Sequence, residues 1–296
     1  MRYVKVRAHG KINLALDVIR KREDGYHEVR MIMQSVGIYD RVEIQFMGKL
    51  NTGYKIDIET NLKFLPVNEN NLAYKAAALL MEEFKLNYHI VIRIKKMIPV
   101  AAGMAGGSSD CAAVLKGINK MFGLGLSEED LKSRGVSLGA DIPYCIMGGT
   151  ALSEGIGEIL TPLPPMPECY IVLAKPYINV STRFVYTNLR ADELTYHPDV
   201  DGMIAAINNN DFYGMAKRLG NVLETVTEKE YPIINDIKEN MIKMGAVNSI
   251  MSGSGPTVFG LFDDVERAKY AYENLKVSDY CRQVYITDGG NGDERY

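Results

Sequence analysis

Hydrophobic and polar residues alternate through much of the first third of the chain. YVKVRAHGKINLALDVI, residues 3–19, and DRVEIQF, residues 40–46, carry the period of two and the β-branched content that predict strands. The period then changes. In NLAYKAAALLMEEFKL, Leu72, Ala76, Leu79, Leu80 and Phe84 fall on one helical face, with Asn70 or Asn71 as the cap. HIVIRIKK returns to the strand pattern, with Ile90, Ile92 and Ile94 on one side. DCAAVLKGINKMFG is helical again through Val114, Leu115, Ile118 and Phe122, and Gly123 closes it. Between these two lies PVAAGMAGGSSD, residues 99–110, so the order is strand, glycine loop, helix.

The texture shifts at the proline cluster Pro162, Pro164, Pro165 and Pro167, because prolines end elements and stiffen linkers. This is the expected domain boundary, dividing the chain into residues 1–161 and 162–296. Beyond it, CYIVLAKP predicts a strand, several helical segments follow, and AVNSIMSGSGPTVFGLF predicts two strands around a turn of small residues. A helix in DVERAKYAYENLK and a strand in RQVYIT complete an α+β pattern, and the tail DGGNGDERY is expected to fray.

Composition narrows the function without naming it. The 296 residues are 47% hydrophobic and 24% charged, an ordinary globular balance. A net charge of −3 argues against a protein whose main task is gripping nucleic-acid backbone. Arg20, Lys21 and Arg22 form a basic run that reads as a solvated face or turn. Cys111, Cys145, Cys169 and Cys281 make no metal-ligand spacing and read as reduced core residues of a cytoplasmic protein. No signal peptide or membrane span is legible.

The glycine loop is the strongest chemical signal. Gly103, Gly106 and Gly107 permit positive φ and close backbone approach, so successive N–H groups can face one anion. Ser108 and Ser109 add hydroxyls, and a helix beginning near Asp110 adds its N-terminus. The loop lacks the lysine of the familiar Gly-Lys-Ser/Thr phosphate loop. SGSGPT, residues 252–257, is either a second phosphate-facing turn or a plain hairpin. Asp141 in GADIPY is either a functional carboxylate or a helix cap, and Lys11 either a functional cation or an edge lysine. In GYHE, Tyr26 and His27 could stack on and hydrogen-bond a nucleobase, or merely decorate a loop tip.

Taken together, PVAAGMAGGSSD, KINLAL, GADIPY and SGSGPTVFGLF resemble the GHMP small-molecule kinases, in order and over nearly the whole chain. KINLALDVIRKREDGYHEVRMIMQSVGIYD most resembles the branch that acts on 4-diphosphocytidyl-2-C-methyl-D-erythritol in non-mevalonate isoprenoid synthesis. The resemblance implies an α+β two-domain fold, with a first half similar to ribosomal protein S5 domain 2 and a second GHMP-type half. ATP would be wrapped by Pro99, Val100, Ala101, Ala102, Gly103, Met104, Ala105, Gly106, Gly107, Ser108 and Ser109, with Mg²⁺ assisting through Ser109. Asp141 would be the catalytic base and Lys11 the catalytic lysine; Tyr26, His27 and Tyr186 would hold the cytidine, and Asn13, Gly253 and Ser254 the rest of the substrate. A monomer or weak homodimer is expected. Met104 and Ala105 stand where many relatives carry Leu-Gly, and Ala105 would be strained if its position needs positive φ. Two alternatives stay open: another GHMP kinase of the homoserine or mevalonate type, which would not need the GYHE pair, and a non-catalytic nucleotide- or RNA-binding module.

Overall fold

A computed structural model describes residues 3–289. The frayed tail expected at residues 288–296 falls mostly outside the described residues; within them Asp288 ends a strand and Gly289 bridges to Val36. The first half builds β1 (Tyr3–Lys21), β2 (His27–Lys49), β3 (Lys55–Thr60), α1 (Leu72–Glu83), β4 (Tyr88–Lys95), α2 (Gly106–Phe122), α3 (Glu128–Val136), α4 (Ile142–Met147), β5 (Thr150–Gly155) and β6 (Ile159–Leu163). The second half adds β7 (Tyr170–Pro176), α5 (Thr182–Asn188), α6 (Val200–Asn208), α7 (Phe212–Lys217), β8 (Gly220–Asn221), α8 (Glu224–Glu230), α9 (Ile233–Lys243), β9 (Asn248–Met251), β10 (Val258–Phe262), α10 (Val265–Lys276) and β11 (Cys281–Asp288).

Two sheets result. One runs β3-β4-β2-β1-β8, with β5 pairing the first part of the long β2 and β6 pairing β5. The other is antiparallel, in the order β11-β7-β10-β9. The proline-rich segment straddles the end of β6: Pro162 pairs with Ala151, and the second sheet opens at Tyr170. The small strand β8, from the second half, pairs in parallel with Ala15 and Leu16 of β1. Ile44, Ile92, Leu80 and Ile118 make one core between the first sheet and α1 and α2. Ile12 and Ile32 of the first sheet pack with Leu173 and Phe259 of the second, so apolar contact is continuous between the sheets.

Local chemistry sets the helix ends. Asn71, not Asn70, caps α1, accepting from the Ala73 N–H at 2.9 Å. Gly123 ends α2 in the left-handed conformation. Ser127 and Asp130 close a capping box on α3. The helix after the glycine loop begins at Gly106, four residues before the expected start, so Ser108, Ser109 and Asp110 lie within its first turns. All four cysteines are free. Among the described residues no helix is long and apolar enough to cross a membrane.

Candidate active site

The site grows from irregularities in β1. Its register with β2 shifts between His9 and Lys11 and again between Asn13 and Ala15, so two bulges bracket Lys11 and Asn13. Bulges re-aim side chains, and a spacing of two puts Lys11 and Asn13 on one face. Asn13 is fully buried and accepts from the Lys11 ammonium at 2.7 Å, while its own amide points to the Met31 sulfur at 3.4 Å. Asn13 therefore reaches the site through Lys11. The ammonium lies 3.9 Å from Asp141 Oδ2, with the lysine side chain 7% exposed and the aspartate 36%. Asp141 sits at the N-cap position of α4 but makes no cap hydrogen bond: its backbone is already helical rather than extended, and Pro143 removes one of the N–H groups a cap would accept. The cap explanation thus fails, and the carboxylate is free to meet a ligand.

The glycine loop has an unexpected conformation. Positive φ falls on Ala101 (50°), Gly103 (72°) and Ala105 (54°), whereas Gly106 and Gly107 are helical. Sequence reasoning assigned the left-handed positions to the glycines; two of the three belong to alanines. An alternating sign of φ is the geometry that turns successive N–H groups into one concavity. Gly106 serves close approach instead: a Cβ there would meet Ile98 at 3.1 Å, whereas one on Gly107 would make only an ordinary contact with Leu72 at 3.8 Å. Ala105 is strained as anticipated, at a cost of about 1–2 kcal/mol.

The two small-residue turns meet. Ser252 Oγ donates to the Gly103 carbonyl at 3.0 Å, and a Cβ on Gly103 would stand 2.2 Å from the Ser252 carbonyl oxygen. Asn221, a residue nothing in the sequence singled out, is buried at the end of β8 and donates to the Met251 and Gly253 carbonyls. Lys11 N–H donates to the Met104 carbonyl at 3.1 Å, which fixes the loop to β1. Ser254 shares a hydrogen bond of 2.8 Å with Thr182 at the start of α5.

At the other end, the β1–β2 hairpin turns at Gly25 (φ 86°), and Tyr26 projects 60% exposed. The rings of His27 and Tyr186 lie 5.2 Å apart, tilted by 43°. Burial lowers the His27 pKa and the charge of Lys21 lowers it further, which favours the neutral imidazole. Lys21 and Arg183 both line this end, and among the described residues neither has a carboxylate partner.

These parts surround one cleft of about 930 Å³. Of the sequence-chosen residues, Lys11, Tyr26, His27, the loop from Pro99 to Ser108, Asp141, Tyr186, Gly253 and Ser254 line it. Ser109 does not: its buried hydroxyl donates to the His9 carbonyl at 2.6 Å and contacts the Ala105 carbonyl. Among the described residues no cluster of three His, Cys, Asp or Glu could hold a metal. Behind the loop lies a buried triad missed in the sequence. Lys96 Nζ bonds Asp40 at 2.5 Å and Asp110 at 2.6 Å. Burial disfavours the charged Lys96, but Asp110 and Asp40 outweigh it and hold its pKa above the usual range. Burial pushes the Asp110 carboxyl up to about 7; Lys96 draws it down and Asp40 raises it.

Comparison with known proteins agrees with this geometry. Residues 71–149 match the family model of the GHMP kinases N terminal domain, and residues 203–278 that of the GHMP kinases C terminal domain. The chain is 53% identical over 287 residues to the 4-diphosphocytidyl-2-C-methyl-D-erythritol kinase of Lachnoclostridium phytofermentans, covering 97% of each. It is 51% identical to the enzyme of that name from Lachnospira eligens, over 97% of this chain and 99% of that one. A crystal structure of 4-(cytidine 5'-diphospho)-2C-methyl-D-erythritol kinase superposes with a TM-score of 0.81 at 29% identity, over 97% of this chain and all of the other. Homoserine kinase from Cytophaga hutchinsonii shares the fold, with a TM-score of 0.74 at 20% identity over 98% of this chain and 96% of its own. With the motifs in place across both halves, the chain belongs to the GHMP kinases, and within them to the 4-diphosphocytidyl-2-C-methyl-D-erythritol kinase family.

Proposed function

We propose that this GHMP kinase uses the cleft to transfer the γ-phosphoryl group of ATP to the 2-hydroxyl of 4-diphosphocytidyl-2-C-methyl-D-erythritol. The supporting observation is the Lys11–Asp141 pair, 3.9 Å apart, between a loop shaped for phosphate and an aromatic end shaped for a base. Asp141 accepts the hydroxyl proton as the new O–P bond forms, and the bond from the γ-phosphorus to the bridging oxygen breaks, releasing ADP. Lys11, oriented by Asn13, offsets charge on the transferring oxygens.

The loop from Pro99 to Ser108 binds the ATP phosphates through backbone N–H groups and the N-terminus of α2. Mg²⁺, if bound with those phosphates, would offset part of their charge; the inward-turned Ser109 hydroxyl, which donates to the His9 carbonyl, does not fit as a protein ligand for it. Tyr26 and Tyr186 flank the cytosine, and the neutral His27 ring can both donate to and accept from its edge. Gly253 and Ser254 approach the diphosphate.

The test is ADP release from ATP with 4-diphosphocytidyl-2-C-methyl-D-erythritol, run beside homoserine and mevalonate. Turnover with the first is expected. Turnover only with one of the others would overturn the substrate assignment and leave the kinase assignment standing.

A further inference from the structure

The Asp40–Lys96–Asp110 triad lies at the foot of the glycine loop, with side-chain exposures of 0%, 4% and 7%. Its bonds divide between the two ends of the loop. On the entering side, Asp40 Oδ1 accepts the N–H groups of Met97, at 2.5 Å, and Ile98, at 2.8 Å. On the leaving side, Lys96 Nζ donates to the Gly106 carbonyl at 3.2 Å and to Asp110 Oδ2. The Lys96–Asp40 bond joins the two sets. Asn61 holds the backbone of Lys96 from outside, accepting its N–H at 2.8 Å and donating to its carbonyl at 3.2 Å.

Every residue from Ile98 to Ala105 is therefore spanned by one charged clamp. Burying these ionisable groups is costly before their mutual attraction is counted. Apolar replacements of similar volume would serve stability at least as well. What they could not supply is a bridge joining the peptides at both ends of a loop that contains two left-handed alanines. The carboxylate atom Asp110 Oδ1 has no hydrogen-bond partner, so the triad is not satisfied for its own sake.

We propose that Asp40, Lys96 and Asp110 are positioning residues that hold the phosphate loop, from its foot, in its ATP-binding shape. Lys96 and Asp110 also reach the wall of the cleft, so the cation that the loop itself lacks stands at its foot. This rests on the reading of the loop as the ATP phosphate site.

The experiment measures ATP binding by calorimetry and steady-state kinetics in the intact protein, in Lys96→Met, and in the uncharged triple variant K96M/D40N/D110L. In Lys96→Met the Kd and KM for ATP should rise at least tenfold, the KM for the second substrate should stay within twofold, and Tm should fall. The triple variant, which leaves no unpaired buried charge, should recover Tm and keep the raised KM for ATP. If that KM returns to the parent value together with Tm, the triad is only structural and the proposal falls. Should Lys96→Met fail to fold, the triple variant carries the test. A parent protein that does not bind ATP would instead sink the underlying reading of the loop.

Discussion

The two ends of the cleft are built by different means. The phosphate end is backbone: a loop of alternating φ sign, tied to β1 through Met104, to the opposite half through Gly103 and Ser252, and to a buried charge cluster behind it. The base end is side chains: Tyr26 on a hairpin tip, His27 beside it, and Tyr186 reaching across from α5. Phosphate is common to every kinase that uses ATP, and a backbone cradle recognises it without depending on any one side chain. A particular base needs particular rings. On the proposed reading, the backbone-built end would carry the shared chemistry and the exposed end the choice of substrate.

The sharpest way to divide the ends is at the pair between them. Asp141→Asn keeps the shape and removes the base, so kcat should fall about 10²–10⁴-fold with the Kd for ATP unchanged. Near-parental turnover would remove Asp141 from its role. Breaking the rigid end comes next. A Cβ on Gly103 would collide with the Ser252 carbonyl and force φ near +72° on a residue with a side chain. Gly103→Ala should cost about 2–4 kcal/mol of stability, read by denaturant unfolding, and raise the KM for ATP; a parental unfolding midpoint would show that the two turns do not pack as described.

The glycine loop, the helix behind it and the Lys11, Asp141 and GYHE signals were legible because each rests on local pattern: period, glycine content, or a polar residue in an apolar frame. What was not read depends on long-range meeting. Asn221 looks like any loop asparagine until β8 joins β1. The triad did leave a trace. Lys96 continues the parity of Ile90, Ile92 and Ile94; Asp40 that of Val42 and Ile44; Asp110 lies four residues before Val114 on the buried face of α2. Three charges at positions where the pattern calls for apolar residues point to a buried ionic cluster, although only the fold shows that they share one. The misassigned left-handed positions have the opposite cause: Gly106 and Gly107 look like loop residues but lie in the helix, and Gly106 is needed where that helix approaches Ile98.

The base end should break more gently and on one side only. Tyr26→Ala removes a ring that is 60% exposed, so folding should be unaffected. Stacking of a base on an aromatic ring is worth about 1–3 kcal/mol, which corresponds to roughly a 5- to 150-fold rise in the substrate KM. The KM for ATP should move less than twofold. An equal loss on both sides would mean that Tyr26 supports the whole cleft.

The smallest expected effect tests whether the strain in the rigid end has a use. Ala105 holds φ 54° at the N-cap of α2, and its carbonyl accepts the N–H of Ser109 at 2.9 Å. Glycine relieves about 1–2 kcal/mol of left-handed strain but gives back about 0.5–1 kcal/mol through the greater freedom of the unfolded chain. Ala105→Gly should therefore stabilise the protein by about 0–1.5 kcal/mol, a rise in Tm of at most about 3 °C. If clamps already fix the loop on both sides, the extra freedom of glycine is not expressed in the folded state, and the KM for ATP stays within twofold. A KM that rises while Tm also rises would show the opposite. The alanine methyl would then be restricting a loop that the clamps leave loose, and the strain would be the cost of that restriction.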